Sequence, residues 1–184
     1  MSVIDLDTQR AAYHEFVASR RTLVLSTTDP DGRPFISYAP FVVHDGQFHV
    51  YVSRIAEHYW HLVNNDRASA LLIADEADSP NLFARHRVRF DCTVTRLDDP
   101  GESDHGDTHE ELFAQFRDRF NASLIDLLRT LDFSLFRLTP SAGRYVVGFG
   151  KAFDVDLDGA RFDHVVVDKR RAEIREQDRR GRVG

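Results

Sequence analysis

Two tight-turn signals, Asp29-Pro30-Asp31-Gly32-Arg33-Pro34 and Asp45-Gly46, divide residues 22–52 into three stretches of strand period. No other feature of the chain limits its fold so sharply. In the first turn proline presets φ and Gly32 supplies a positive one. Asp-Gly is a two-residue hairpin signal. The runs Thr22 to Thr28, Phe35 to Val43 and Gln47 to Val52 therefore read as an antiparallel meander. In the third run Phe48, Val50 and Val52 alternate with His49 and Tyr51, which predicts the first set inward and the second outward.

Around this meander the period changes. Asp7 is placed to cap a first helix running to Ser19, with Tyr13, Phe16 and Val17 as its apolar stripe. Ser53 is placed to cap a short helix to Asn64, with Ile55, Tyr59, Leu62 and Val63 on one face. Ala68 to Ala74 reads as a strand, Pro80 to Ala84 as a loop, and Arg87 to Thr95 as a strand with Val88, Phe90, Cys92 and Val94 inward. Asp98 to Asp107 is polar and predicts a mobile loop. Thr108 and Glu111 form a capping box before a helix striped by Leu112, Phe113, Phe116 and Phe120, and a second helix is striped by Leu124, Leu127, Leu128 and Leu131. Two last strands are expected at Phe133 to Leu138 and Arg144 to Val155. About seven strands with short turns and few helices predict a mostly β barrel or sandwich with peripheral helices. The division expected is one domain over 1–155 and a polar C-terminal segment over 156–184, disordered after Lys169.

With 184 residues the chain is of single-domain size, and 14 Phe point to a thick core or an apolar subunit interface. A net charge of −6 argues against nucleic acid as a partner, since the only dense positive charge lies at the far C-terminus. No signal-like or membrane-spanning run is present, and the single Cys92 cannot form an internal disulfide, so a cytoplasmic location is expected. Cys92 reads as a small core residue rather than a nucleophile.

No sequence signature of catalysis stands out: no phosphate-binding glycine loop, no nucleophile elbow, no paired-cysteine metal spacing. Three groups of residues are worth weighing. Ser53-Arg54 at a helix start would suit an anion, although an ordinary cap with a solvated arginine explains it as well. Arg85, Arg87 and Arg89 share one face if all three are extended, which suits carboxylate or phosphate groups, and is equally what a charged outer sheet face looks like. His58 and His61 share a helix face, but no third ligand lies nearby, so a surface or interface pair is the simpler reading. His164 stands beside Asp163 in the polar C-terminal segment.

Taken together, several stretches resemble a known family. Leu25 to Ser37 is similar to the opening hairpin of the pyridoxamine-5′-phosphate-oxidase-like split β-barrel superfamily. Val52-Ser53-Arg54-Ile55-Ala56-Glu57-His58 through Leu62, Asp66 to Leu72, and Arg144-Tyr145-Val146-Val147-Gly148-Phe149-Gly150-Lys151-Ala152 resemble its haem-utilisation (HutZ/HugZ-like) branch. The resemblance covers roughly residues 8–155. It implies a six-stranded split barrel, a homodimer, and a cofactor held in clefts between subunits. Flavin-binding relatives seat the FMN phosphate on residues matching Ser53 and Arg54 and on a lysine whose place is taken here by His58. For the haem branch the resemblance implies His164 as iron ligand, Asp132 as its support and Arg87 near the propionates. A neutral imidazole backed by a carboxylate is a sound iron ligand, and propionates need cationic partners. The resemblance thus implies haem as cofactor, with FMN as the alternative. The activity stays open between a haem-degrading oxygenase that releases iron with an electron donor not identified by sequence, an FMN-dependent oxidoreductase, and a non-enzymatic haem carrier or sensor.

Overall fold

The computed structural model describes residues 4–97 and 109–165. In chain order they form α1 (Leu6–Ser19), β1 (Thr22–Thr28), β2 (Pro34–His44), β3 (Gln47–Ser53), α2 (Glu57–Asn64) and β4 (Arg67–Ile73). A 3₁₀ turn (Leu82–Ala84), β5 (Arg87–Arg96), α3 (Glu110–Arg119), α4 (Ala122–Arg129), β6 (Phe133–Gly148), β7 (Lys151–Val155) and β8 (Phe162–His164) follow. All neighbouring strands are antiparallel, in the order β3-β2-β1-β4-β5-β6, and β6 returns to pair with β3. Six strands therefore close a barrel, as the family resemblance implies, and no edge is left among them.

The closure depends on the length of β6. Its first half pairs with β3, from Phe133↔Ser53 to Leu138↔Phe48, while its second half leaves the barrel to pair with β7. Sequence reading expected two strands here, because Thr139-Pro140-Ser141 looks like a break. The structure keeps one strand of 16 residues. Pro140 lies opposite Cys92, where the register with β5 shifts, and an irregularity of this kind is where a sheet tolerates proline. β8 adds an eighth strand beyond the expected seven.

The barrel interior is a single apolar cluster that includes Leu23, Leu25, Phe41, Phe48, Val50, Leu72, Val88, Phe90, Phe136, Leu138 and Tyr145. α1 closes one end with Tyr13, Phe16 and Val17, and α2 closes another part with Tyr59 and Leu62. Leu157 and Phe162 belong to the same cluster, so core packing continues past residue 155. A second cluster (Val42, Leu112, Phe116, Ile125, Leu135) joins the α3–α4 hairpin to the outer face of β2, β3 and β6. That cover explains why His49, expected to face solvent, is only 4% exposed.

Several boundaries differ from expectation. α1 is capped two residues earlier, by Asp5, whose carboxylate accepts from the Asp7 and Thr8 N–H groups. α2 begins at Glu57 after Ala56, not at Ser53. Thr108 of the expected capping box lies outside the described residues, as do the loop over 98–107 and the tail after Lys169; α3 starts after His109 with no side-chain cap. On α4 it is Ile125 that turns inward, while Leu124 and Leu127, and Leu131 just past the helix, are largely exposed. No helix among the described residues is long and apolar enough to cross a membrane.

Candidate functional site

The end of β3 and the start of β6 bring Ser53, Arg54 and Asp132 together. Ser53 is the last residue of β3 and pairs with Phe133. The next residue, Arg54, donates its backbone N–H to the Asp132 carbonyl at 2.7 Å. Because α2 starts later, Ser53 caps no helix; among the described residues its hydroxyl accepts a long 3.4 Å bond from the Ile55 N–H. The anion site expected of a helix N-terminus is therefore replaced by a turn, and Arg54 itself supplies the positive charge. Its guanidinium reaches a cleft of about 250 Å³ lined also by Tyr51, His109, Phe113, Arg129 and Phe133. Arg129 sits over the Phe113 ring at 4.4 Å and is ion-paired to Glu110 at 2.9 Å.

His58 lies in the first turn of α2 and is half-buried; burial, and secondarily the nearby His61, push its pKa below the usual imidazole value. The two histidines expected to form a surface or interface pair differ in burial. His61 is buried and shares a 3.1 Å hydrogen bond, Nδ1 to Oγ1, with Thr27, which makes it a core residue rather than a ligand. Among the described residues no group of three or more His, Cys, Asp or Glu side chains could hold a metal ion.

The arginine ladder is shorter than expected. Arg85 lies outside β5 and is tied down by the Ala74 carbonyl at 2.6 Å and by Glu76 at 3.1 Å. Arg87 donates to the Arg85 carbonyl at 2.8 Å, and Arg89 is ion-paired to Asp91. Arg144, which sequence reading missed, stands opposite Arg89 and is paired to Asp154 at 2.6 Å.

Register places these arginines on a broad outer face. One row runs Tyr38, Val24, Leu71, Arg89, Arg144, Asp154 across six strands. Beside it run Ile36, Ser26, Ser69, Asp91, Ala142 on one side and Ile73, Arg87, Val146, Ala152 on the other. Ile36 is 72% and Tyr38 67% exposed. An outer sheet face normally carries polar residues; large apolar side chains rimmed by cations mark a contact surface.

His164 closes β8 opposite Phe153, which itself lies opposite Tyr145. Its Nε2 is 3.0 Å from the Gly150 carbonyl. A carbonyl can only accept, so Nε2 carries a proton, and in the neutral tautomer of that ring Nδ1 is the nitrogen with the lone pair. Within one chain His164 and Asp132 do not meet. Asp132 precedes the first residue of β6, whereas His164 is tethered near its far end, on the order of 40 Å of strand away at about 3.3 Å per residue.

Comparison with known proteins agrees with this architecture. The family model for pyridoxamine 5′-phosphate oxidase matches residues 10–147. The chain is similar to "Heme oxygenase HutZ" of Vibrio cholerae, with 39% identity over 144 residues, 78% of this chain and 79% of that protein. A solved structure of HutZ, there described as a heme storage protein, superposes with a TM-score of 0.67 at 34% identity, covering 79% of this chain and 99% of that one. Campylobacter jejuni ChuZ shares the fold, with a TM-score of 0.77 at 24% identity over 89% of this chain and 65% of that one.

Proposed function

The chain belongs to the pyridoxamine 5′-phosphate oxidase family, in its haem-utilisation branch, and from that premise we propose that two copies of it bind haem between them and open the porphyrin to release iron. One observation carries the reading: an outer sheet face, uncovered among the described residues, joins exposed Ile36 and Tyr38 to Arg87, Arg89 and Arg144. A flat, apolar macrocycle with acidic substituents fits such a surface, and so does the apolar flank of a second subunit.

The donor set fits haem. Arg54 and Arg87 offer guanidinium groups to propionates. His164 offers Nδ1 to iron, with the opposite nitrogen oriented by a carbonyl, the usual arrangement around a ligating imidazole. Since Asp132 stands just before the start of β6 and His164 is tethered just past its far end, a site using both draws each from a different copy. There the Asp132 carboxylate is a stronger acceptor for the imidazole N–H than the Gly150 carbonyl. Bound haem would supply the oxygen chemistry, and the residues named would hold and orient it. A reductant from a separate electron donor is required for turnover.

The test is a hemin titration of the pure protein, with its mass in solution measured in parallel. A dimer is expected, with His164→Ala shifting the iron's absorption bands and weakening binding, and Arg87→Ala weakening binding without shifting them. Unchanged bands in His164→Ala would remove the ligand assignment. Incubation with hemin, oxygen and a reductant separates degradation from storage: loss of the porphyrin bands with free iron supports an oxygenase, and intact porphyrin leaves carriage. A protein that is yellow as purified and releases FMN on denaturation would favour the flavin alternative at Ser53 and Arg54. A monomer that takes up neither ligand would overturn the proposal.

A further inference from the structure

Ser134 is the one polar member of an otherwise apolar inward row on β6. It stands opposite Val52, followed on the same face by Phe136 and Leu138, and is 0% exposed. Burying a hydroxyl there is costly unless it is hydrogen-bonded, and alanine would fill the position almost equally well. What the hydroxyl does is accept from two arginines. Arg54 donates Nε–H to Ser134 Oγ at 2.9 Å, and Arg96 approaches the same oxygen with Nη2 at 3.5 Å while lying over the Tyr59 ring at 5.6 Å.

We propose that Ser134 is a positioning residue for Arg54, fixing the plane of its guanidinium so that the Nη1/Nη2 edge is presented to an acidic group of the ligand. The inference rests on the reading of Arg54 as a contact for propionate or phosphate. Arg54 lies in a turn, where a long side chain has many rotamers, and two of its contacts restrict that freedom. Its backbone N–H is bound to the Asp132 carbonyl at 2.7 Å, and its Nε to a hydroxyl carried by a barrel strand. A bond at Nε fixes the plane of the guanidinium and with it the direction of the Nη1/Nη2 fork, whose geometry matches carboxylate and phosphate. The acceptor is neutral, so Ser134 itself positions the guanidinium without cancelling its charge, as a carboxylate in its place would do. Because both contacts originate within two residues of each other, at Asp132 just before β6 and at Ser134 on it, Arg54 and Asp132 are held in one frame, which is how a site is made accurate from a turn residue.

The test has two arms on the full-length protein. In the first, the Nε–H resonance of Arg54 is assigned by its loss in Arg54→Lys and its solvent exchange is followed by ¹⁵N NMR without ligand. Exchange is expected to be slow in the wild type, about tenfold faster in Ser134→Ala, and restored toward the wild-type rate in Ser134→Thr, which keeps the hydroxyl. In the second, hemin affinity is expected to fall about tenfold in Ser134→Ala and to show no further loss when Ser134→Ala is added to Arg54→Ala. Equal exchange in wild type and Ser134→Ala would overturn the proposal, as would equal loss of affinity with and without the Arg54 guanidinium. If the wild type binds no hemin, the ligand reading fails while the exchange arm still decides whether Ser134 holds Arg54.

Discussion

Replacing Tyr13 with phenylalanine removes one oxygen atom and tests whether α1 holds the far end of the sheet. The Tyr13 ring packs edge-on against Tyr145 at 5.1 Å and against Phe162 at 5.8 Å, contacts a phenylalanine would keep. Its hydroxyl donates to the carbonyls of Asp156 at 2.7 Å and Leu157 at 3.1 Å, in the turn that leads into β8 and His164. Burial, reinforced by the charges of Asp158 and Asp156, raises the phenol's pKa, so it stays a donor at any working pH. The Asp156 carbonyl also accepts the Gly159 N–H at 3.1 Å, whereas among the described residues the Leu157 carbonyl accepts from the phenol alone. Losing a net bond and leaving a buried acceptor short costs about 1–2 kcal/mol. For a chain of this size that is about 3–6 °C in Tm. Urea unfolding of wild type and Tyr13→Phe at matched concentration measures the first figure, and hydrogen exchange at Gly159 and Arg161 locates it. A stability change within about 0.3 kcal/mol, or a loss with no faster exchange in this turn, would refute the reasoning.

His49 supplies a pH test. Burial, then the charges of His44 and Arg137, push its pKa down to about 4. The unfolded chain, with an imidazole near 6.5, binds the proton first as pH falls. The folding contribution is therefore complete above about pH 6.5, is lost between there and about pH 4, and amounts to about 3 kcal/mol. Urea midpoints should fall across that window in the wild type and fall less steeply in His49→Leu; parallel slopes would exclude His49 as the source. Cys92 is buried, and burial pushes its thiol up to about 12, so a thiol reagent at pH 8 should label it only after denaturation. Labelling of the native protein at the rate of an exposed thiol would contradict the barrel packing around β5.

The barrel was legible in the sequence because its turns are built from residues with little conformational choice. Asp29 to Pro34 and Asp45-Gly46 set the meander, and Gly32 and Gly46 both adopt positive φ. Strict alternation identified the inward row of β5. The β6 strand was not legible, because proline reads as a break locally and only its pairing with a shifted β5 makes it tolerable. Ser53 misled for a related reason: a serine before an apolar stripe resembles a cap, but β3 pairing to Phe133 holds it extended. The candidate site was legible in part. Ser53, Arg54 and Asp132 do converge, yet Ser134, Arg129 and the α3–α4 cleft carry no local pattern and emerge only from strand register and helix docking. The exposed leucines of α4 show the same limit, since an apolar stripe gives a face but not the direction in which it turns.

The double duty of β6 has a consequence for synthesis. Phe48 of β3 waits for Leu138 before its free edge is covered, so a growing chain carries an unfinished barrel while some ninety residues are added. Long-range closure of this kind slows folding, and an uncovered strand edge invites pairing with another nascent chain. Truncations that end before residue 133 should therefore accumulate as aggregates on ribosome release, whereas those that retain β6 should not.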